Sequence, residues 1–198
     1  APRNADRLVL IINDILDMEK ISSGRLDFEL ETADLSELVA ESLRANATAH
    51  QRFGLQIKCH GVDTPTYIET DANRIIQVLT NLMSNAAKFS KPGGTVEISV
   101  EKTPENVCVS VRDEGMGIAP EDQHKIFQRF ADMANSDRAT KGGTGLGLSI
   151  CKAIVEGLGG TIDFVSKEGR GTTFTFTLPV KTRHSGPEND FERLENVG

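Results

Sequence analysis

Between Asp6 and Ile21 the apolar residues Leu8, Ile11, Ile15 and Met18 recur every three or four positions, and Val9, Ile12 and Leu16 widen the stripe. That period belongs to a helix, and its apolar face is too broad for one neighbour. Ser22-Ser23-Gly24 supplies a stop signal. In RLDFELE, Leu26, Phe28 and Leu30 alternate with charged residues, the pattern of a half-buried strand. Asp34, with Glu37 three residues on, reads as a capping box opening a helix from Leu35 to about Ala49.

Two short strands are expected around Leu55 to Lys58 and Tyr67 to Glu69, after which Asp71 caps a long helix running to Phe89. Thr95 to Lys102 and Val107 to Arg112 alternate strictly around TPEN and predict a hairpin on a sheet with one covered face. Asp113 to Gly147 is glycine-rich and polar apart from a short helical piece, EDQHKIFQRF, and a loop this long inside a domain is usually functional. Gly147 to Leu158 returns to helix, and Thr161 to Val165 and Thr172 to Leu178 add two strands. The tail from Ser185 to Gly198 is polar and without period, as in a linker. Strands grouped in hairpins with helices between them predict an α+β fold, a two-layer α/β sandwich with its helices on one sheet face, preceded by a single long helix.

A chain of 198 residues has room for one well-buried domain and an additional element. Its 38% hydrophobic and 26% charged residues place it among soluble globular proteins. The formal net charge of -7 offers no basic field for nucleic acid or an anionic membrane surface. With one Tyr and no Trp there is also little aromatic surface on which single strands could stack. Cys59, Cys108 and Cys151 are odd in number, far apart and set in apolar sequence, so they are expected as buried reduced thiols rather than a disulfide framework or zinc ligands. The apolar run before Asn13 and Asp14 is too short to span a bilayer, and this points to a cytoplasmic compartment. The start at Ala1, without an initiator Met, is expected of a piece of a longer protein, with room for a membrane anchor upstream.

Four segments carry candidate chemistry. In DANRIIQVLTNLMSNAAKF the buried face is Ile75, Val78, Leu79, Leu82 and Ala86, which leaves Asn81, Asn85 and Lys88 together on a neighbouring stripe. Asn oxygens suit a Mg2+ ion that already holds phosphate oxygens, and Lys88 could meet a phosphate; a merely solvated helix face is the alternative. Asp113-Glu114-Gly115-Met116-Gly117 follows a strand, where glycines admit a flat ligand and an Asp can accept from an exocyclic amine; an ordinary turn is the alternative. Gly142-Gly143-Thr144-Gly145-Leu146-Gly147-Leu148-Ser149 runs into a helix, whose free amides and dipole suit a phosphate. It fits neither the dinucleotide nor the Walker pattern. Gly169-Arg170-Gly171-Thr172-Thr173-Phe174 alone would be a hairpin turn.

In this order and spacing the four segments resemble the N, G1, G2 and G3 boxes of the histidine kinase catalytic and ATP-binding domain, and IFQRF is similar to its F box. The likeness covers about Leu26 to Val180, and NDILDMEKISSGRL resembles the second helix of that family's dimerisation and phosphoacceptor domain. The resemblance implies a Bergerat ATP-binding fold over residues 25–184, a partial dimerisation helix over 1–24, a tail from 185, and a mobile lid from about Gln128 to Gly143. It implies ATP and Mg2+ as cofactors. Asn85 would hold Mg2+, Asn81 and Lys88 would assist at the phosphates, and Phe89 would pack near the base. Asp113 would bind the adenine amine, with Gly115, Gly117, Ile118 and Thr173 shaping that end. Gly143, Thr144, Gly145, Leu146, Gly147 and Leu148 would surround the phosphates, and Phe127, Arg129 and Phe130 would anchor the lid, with Arg129 a γ-phosphate contact.

The same resemblance implies a phosphoacceptor His followed by an acidic residue, yet His50, His60, His124 and His184 precede Gln51, Gly61, Lys125 and Ser185. The acceptor is therefore expected outside this chain, with a response-regulator receiver domain as a further partner, a homodimer in the whole protein, no nucleic acid and no direct membrane contact of this fragment. An ATPase of the same superfamily is the alternative, but such enzymes carry a Glu at the position of Asn81, whose amide cannot act as a general base. A nucleotide-binding pseudokinase scaffold is the second alternative. On this reading, hydrogen exchange in residues 132–143 should slow when a non-hydrolysable MgATP analogue is added. Equal exchange with and without the analogue would mean that the segment is not a lid.

Overall fold

Helix α3, Ala72–Phe89, is the central element, and its sequence explains both its limits and its place. The Asp71 carboxylate accepts from the Arg74 amide and satisfies a donor that the first turn leaves open. Ile75, Val78, Leu79, Leu82, Met83, Ala86 and Ala87 are all buried, a stripe of helical period facing the core. In the computed structural model, which describes residues 2–129 and 145–180, this stripe meets a five-stranded sheet.

The sheet contains β2 (Gln56–His60), β4 (Thr95–Lys102), β5 (Asn106–Asp113), β7 (Gly171–Pro179) and β6 (Thr161–Lys167), in that spatial order. Only the β2–β4 pair is parallel. Val96, Ile98, Val107, Val109, Val111, Phe174, Phe176 and Leu178 point inward, and the alternating positions form an outer face on which Glu97 pairs with Arg112 and Ser110 with Thr175. Helices α2 (Leu35–Phe53) and α5 (Gly147–Gly157) flank α3. The expected two-layer α/β sandwich is the architecture found, and a separate ribbon pairs β1 (Glu31–Asp34) with β3 (Tyr67–Thr70). Among the described residues no helix is long and apolar enough to cross a membrane.

Asp34 does cap α2, accepting from Ser36 and also from Thr66, so one carboxylate starts the helix and fastens the loop before β3. The helix runs past Ala49 to Phe53 and ends at Gly54, whose positive φ of 62° closes the turn. The strand expected over Leu26 to Leu30 does not form. Leu26 and Phe28 pack against the core, Phe28 filling the space above Gly157, while the Glu29 amide bonds to the Asp71 carboxylate and Leu30 is exposed. The backbone is thus used to tie the segment to the α3 cap, and strand pairing begins only at Glu31. Of EDQHKIFQRF only part lies in a short helix α4, Pro120–Gln123, followed by turns in which Lys125 bonds to Asp122 and Gln128 to Lys125. Ile126 is buried and Phe127 meets Phe164 and Phe174 edge-on.

Helix α1 spans Pro2–Ser22. Leu8, Ile12, Ile15 and Leu16 are exposed, whereas Met18 belongs to the core cluster, so the last turns of α1 pack against the sandwich. The three thiols are free, but only Cys151 is buried: Cys59 lies on edge strand β2 and Cys108 on the outer sheet face. The tail from Ser185 lies outside the described residues.

His50 on α2 is 5% exposed, and its Nε2 has no hydrogen-bond partner among the described residues. Burial lowers its pKa from the ordinary value of 6.5. The unfolded chain therefore takes up this proton first as pH falls, so the His50 contribution is intact above 6.5 and is lost progressively below it, down to the folded-state pKa. His50→Gln should flatten the fall in Tm on the acid side of that value; an identical Tm profile against pH would show that His50 is not the group responsible.

Candidate nucleotide-binding site

Asn81, Asn85 and Lys88 stand half-buried on α3, and Asn81 lies beside the start of α5. A methyl group added at Gly147, the first residue of α5, would lie 3.5 Å from the Asn81 amide. The open amides and positive end of that helix therefore face the polar stripe. Behind Asn81 lies Cys151, one turn into α5, with its Sγ 3.9 Å from the Val78 carbonyl oxygen. Burial pushes this thiol up to about 12, a hydrogen bond with the Asn81 side chain opposes the shift, and the Asp14 carboxylate adds to it. Cys151 is thus a buried, protonated thiol hydrogen-bonded to the Asn81 side chain. No sequence motif marks it, although its placement one turn beyond Gly147 was visible.

At the other end of α3 the loop after β5 is held close. Asp113, 5% exposed, ends the strand with its Oδ1 accepting from the Gly115 amide at 2.8 Å. The Met116 amide bonds to the Phe89 carbonyl and the Met116 carbonyl accepts from Gly169, which pins the loop between α3 and the β6–β7 turn. A side chain at Gly115 would collide with the Phe89 carbonyl, and one at Gly117, where φ is +68°, with the Lys167 carbonyl. The Ile118 amide donates to Ser166, whose hydroxyl is 2.9 Å from that of Thr172. Phe89 is half-buried, with the Lys88 ammonium 4.8 Å from its ring centre.

One expected residue stands apart from the others. Thr173 faces the outer side of the sheet opposite Arg112, away from Asp113, because strand residues alternate in direction. Thr172 pairs with Asp113, is 6% exposed and points inward. Counting back by twos from the apolar Phe174 and Phe176 gives the same inward direction. Arg129 is exposed, and its Nη1 donates to Ser22 on α1 at 2.7 Å. Leu146 is buried, Leu148 half-buried and Gly145 exposed. Phe130, Gly143, Thr144 and the rest of the segment expected as a lid lie outside the described residues.

No group of three or more His, Cys, Asp or Glu converges among the described residues. What converges is a buried carboxylate with close-set glycines at one end, and amide oxygens beside a helix N-terminus at the other.

Residues 70–182 match the family described as histidine kinase-, DNA gyrase B- and HSP90-like ATPase. The chain is 38% identical over 181 residues to the sensor histidine kinase WalK of Bacillus subtilis, covering 89% of this chain and 29% of that protein. It is 37% identical over 182 residues to the signal transduction histidine-protein kinase BarA of Escherichia coli, covering 89% and 20%. It therefore spans less than a third of the length of these curated relatives. Among solved structures, the Acinetobacter baumannii histidine kinase AdeS superposes with a TM-score of 0.74 at 27% identity, covering 91% of this chain and 82% of that one. Full-length ShkA in complex with AMPPNP gives 0.77 at 27%, covering 89% and 36%. The catalytic domain of the histidine kinase ThkA gives 0.66 at 31%, covering 77% and 96%.

The two glycines that border the site make opposite demands. Gly115→Ala should destabilise the fold by about 1–3 kcal/mol, the usual range for overpacking, since the clash is with backbone. Gly147→Ala meets only ordinary contact with Asn81 and should leave Tm within about 3 °C, a shift of under 1 kcal/mol. Thermal unfolding of both variants checks this; equal losses would mean that the loop after β5 can relax.

Proposed function

Because the chain belongs to the histidine kinase-, DNA gyrase B- and HSP90-like ATPase family, we propose that it is the ATP-binding catalytic portion of a sensor histidine kinase, moving the γ-phosphoryl group of MgATP to a histidine on a dimerisation helix. The observation that supports this most is the pair of contacts made by α3: Asn81 beside the N-terminus of α5, and Phe89 holding the loop that carries Asp113. One helix thereby sets a phosphate end against a base end. Asp113 would accept from the adenine amine, Thr172 and Gly115 would shape that end, and Phe89 would lie against the ring. The amides opening α5 would donate to phosphate oxygens. Asn85, with Asn81, offers neutral oxygens to a hard cation, and bound Mg2+ would supply positive charge between the terminal phosphates. Lys88 and Arg129 add point charges, Arg129 on leaving Ser22.

Transfer breaks the bond from the γ-phosphorus to the bridging oxygen, releases ADP and forms a phosphorus–nitrogen bond to an imidazole. Such a loose transition state calls for positioning and charge neutralisation more than covalent help, which matches a site without a nucleophile of its own. The acceptor histidine, a receiver domain and the second copy of a homodimer are partners of the whole protein, which we place in the cytoplasm. Hydrolysis is the weaker reading. At Asn81 the chain has an amide tied to Cys151, which takes no proton from water.

Calorimetry with a non-hydrolysable MgATP analogue tests the binding site. Asp113→Asn should weaken binding by about 1.5–3 kcal/mol, the range for a hydrogen bond to a charged group. With radiolabelled ATP and a separate phosphoacceptor domain, label should pass slowly in trans, since the parts are untethered, and Asn85→Ala should abolish it. Unchanged affinity in Asp113→Asn, or label on a histidine of this chain, would refute the assignment.

A further inference from the structure

The polar line on α3 does not begin at Asn81. Arg74, Gln77, Asn81, Asn85 and Lys88 follow one another by steps of three, four, four and three, so they share one strip of the helix surface. The strip's first two residues face α1. Arg74 Nη1 donates to Asp17 Oδ1 at 2.9 Å and to Gln77 Oε1 at 2.9 Å, and Gln77 Nε2 donates to Asp17 Oδ2 at 2.7 Å. The three side chains close a ring in which both carboxylate oxygens are taken, and little water reaches it: the side chains of Asp17 and Arg74 are 11% and 19% exposed.

The surroundings strengthen the contact. Met18, the next residue, is in the core and touches the Ser149 hydroxyl of α5. Ser22 receives Arg129, and the segment after α1 returns to the start of α3 through Glu29 and Asp71. Toward its N-terminus α1 presents Leu8, Ile12, Ile15 and Leu16 to solvent. The sandwich is thus fastened to the C-terminal end of a helix whose Leu8, Ile12, Ile15 and Leu16 lie open to solvent.

A buried ion pair adds little net stability over an apolar pair of the same shape, and its attested use is to select one register. Here the selection is sharp. Two donors on adjacent turns of α3 read the two oxygens of one carboxylate, and sliding α1 by a single residue would move Asp17 about 1.5 Å along the axis and turn it by about 100°. Both bonds would then break, leaving an uncompensated buried charge. Since Gln77 and Asn85 are eight residues apart on a rigid helix, about 12 Å, whatever fixes α1 against Gln77 also fixes it against the phosphate end of the site.

We propose that Asp17, Arg74 and Gln77 are positioning residues: a clamp that sets α1 at one height along α3, and hence at one distance from the γ-phosphate held near Asn81 and Asn85. That purpose rests on the nucleotide reading above; the clamp itself is measurable without it. Hydrogen exchange of backbone amides 14–22 is the readout. Arg74→Ala and Asp17→Ala should each speed it by about tenfold or more, because one partner of a buried pair is left alone. The double variant should be no faster than the faster single one, the signature of a shared interaction.

Gln77→Glu keeps the side-chain volume and sets a second carboxylate against Asp17, so it should also release α1. Adding Asp17→Asn to it puts a donor amide opposite the new carboxylate and should return protection to within about threefold of the parent, the coupling expected of directly interacting residues. Affinity for the MgATP analogue should stay within about threefold throughout, since none of the three is a nucleotide contact. Unchanged exchange in Gln77→Glu, additive effects of Arg74→Ala and Asp17→Ala, or failure of the paired exchange to restore protection would overturn the clamp. A parent chain that binds no MgATP analogue would remove the nucleotide site and leave the exchange series to decide the clamp.

Discussion

The two faces of α3 cannot be moved independently, and the rest of the molecule is arranged around that constraint. One face is sealed into the sheet by seven buried side chains, including Ile75, Leu79, Leu82 and Met83 at full burial, so the helix has no freedom to roll or slide without opening the core. The other face carries Arg74, Gln77, Asn81, Asn85 and Lys88. Polar groups on a loop would need their own scaffold; here the hydrophobic effect, acting on the opposite face, orders them. The arrangement also explains why α5 starts where it does. Its buried residues Ile150, Cys151, Ile154 and Val155 pack against α3 and the sheet, which brings Gly147 against Asn81.

At the far end the constraint is steric rather than apolar. Gly115, Gly117 and Gly171 are places where carbonyl groups of Phe89, Lys167 and Asp113 come closer than any side chain allows. These approaches draw the loop after β5 in until its amides bond to Asp113, Phe89 and Ser166. A buried carboxylate is costly unless its oxygens are satisfied, and the Gly115 amide meets part of that need. Glycine spacing is therefore the visible trace of a backbone interaction.

Much of this was legible in the chain because the signals were local and redundant. Asp34 and Asp71 announce helix starts by side-chain chemistry, and period 2 against period 3.6 separates the β4–β5 hairpin from α3. The failures share one cause. Leu26 to Leu30 alternates as a strand does, but its backbone is recruited by Asp71, a residue distant in sequence. The motif points to Thr173, whereas the direction of a strand residue is decided by parity from Phe174 and turns Thr173 to the outer face. Cys151 read as simple filler, and its contact with Asn81 arises from the packing of two helices that no local pattern relates. The ring of Asp17, Arg74 and Gln77 joins positions nearly sixty residues apart, and each alone reads as an ordinary surface residue.

The electrostatics follow from the same economy. On the proposed reading a chain with a net charge of -7 holds a polyanion, so attraction has to be local. Backbone dipoles supply it without adding flexible cations: the start of α5 presents its partial positive charge at a fixed point, and the effect falls off within a turn, which leaves the acidic surface elsewhere of little consequence. Of the side-chain cations near the stripe, Arg74 is already committed to Asp17, and Lys88 sits over the Phe89 ring. On the proposed reading neutral amides do the remaining work. Asn81 and Asn85 can share a cation with phosphate oxygens without adding negative charge to an already anionic ligand, and, unlike a carboxylate, neither can draw a proton from water. On the proposed reading this favours transfer to an imidazole, itself a nucleophile, over transfer to water, which would first need a base.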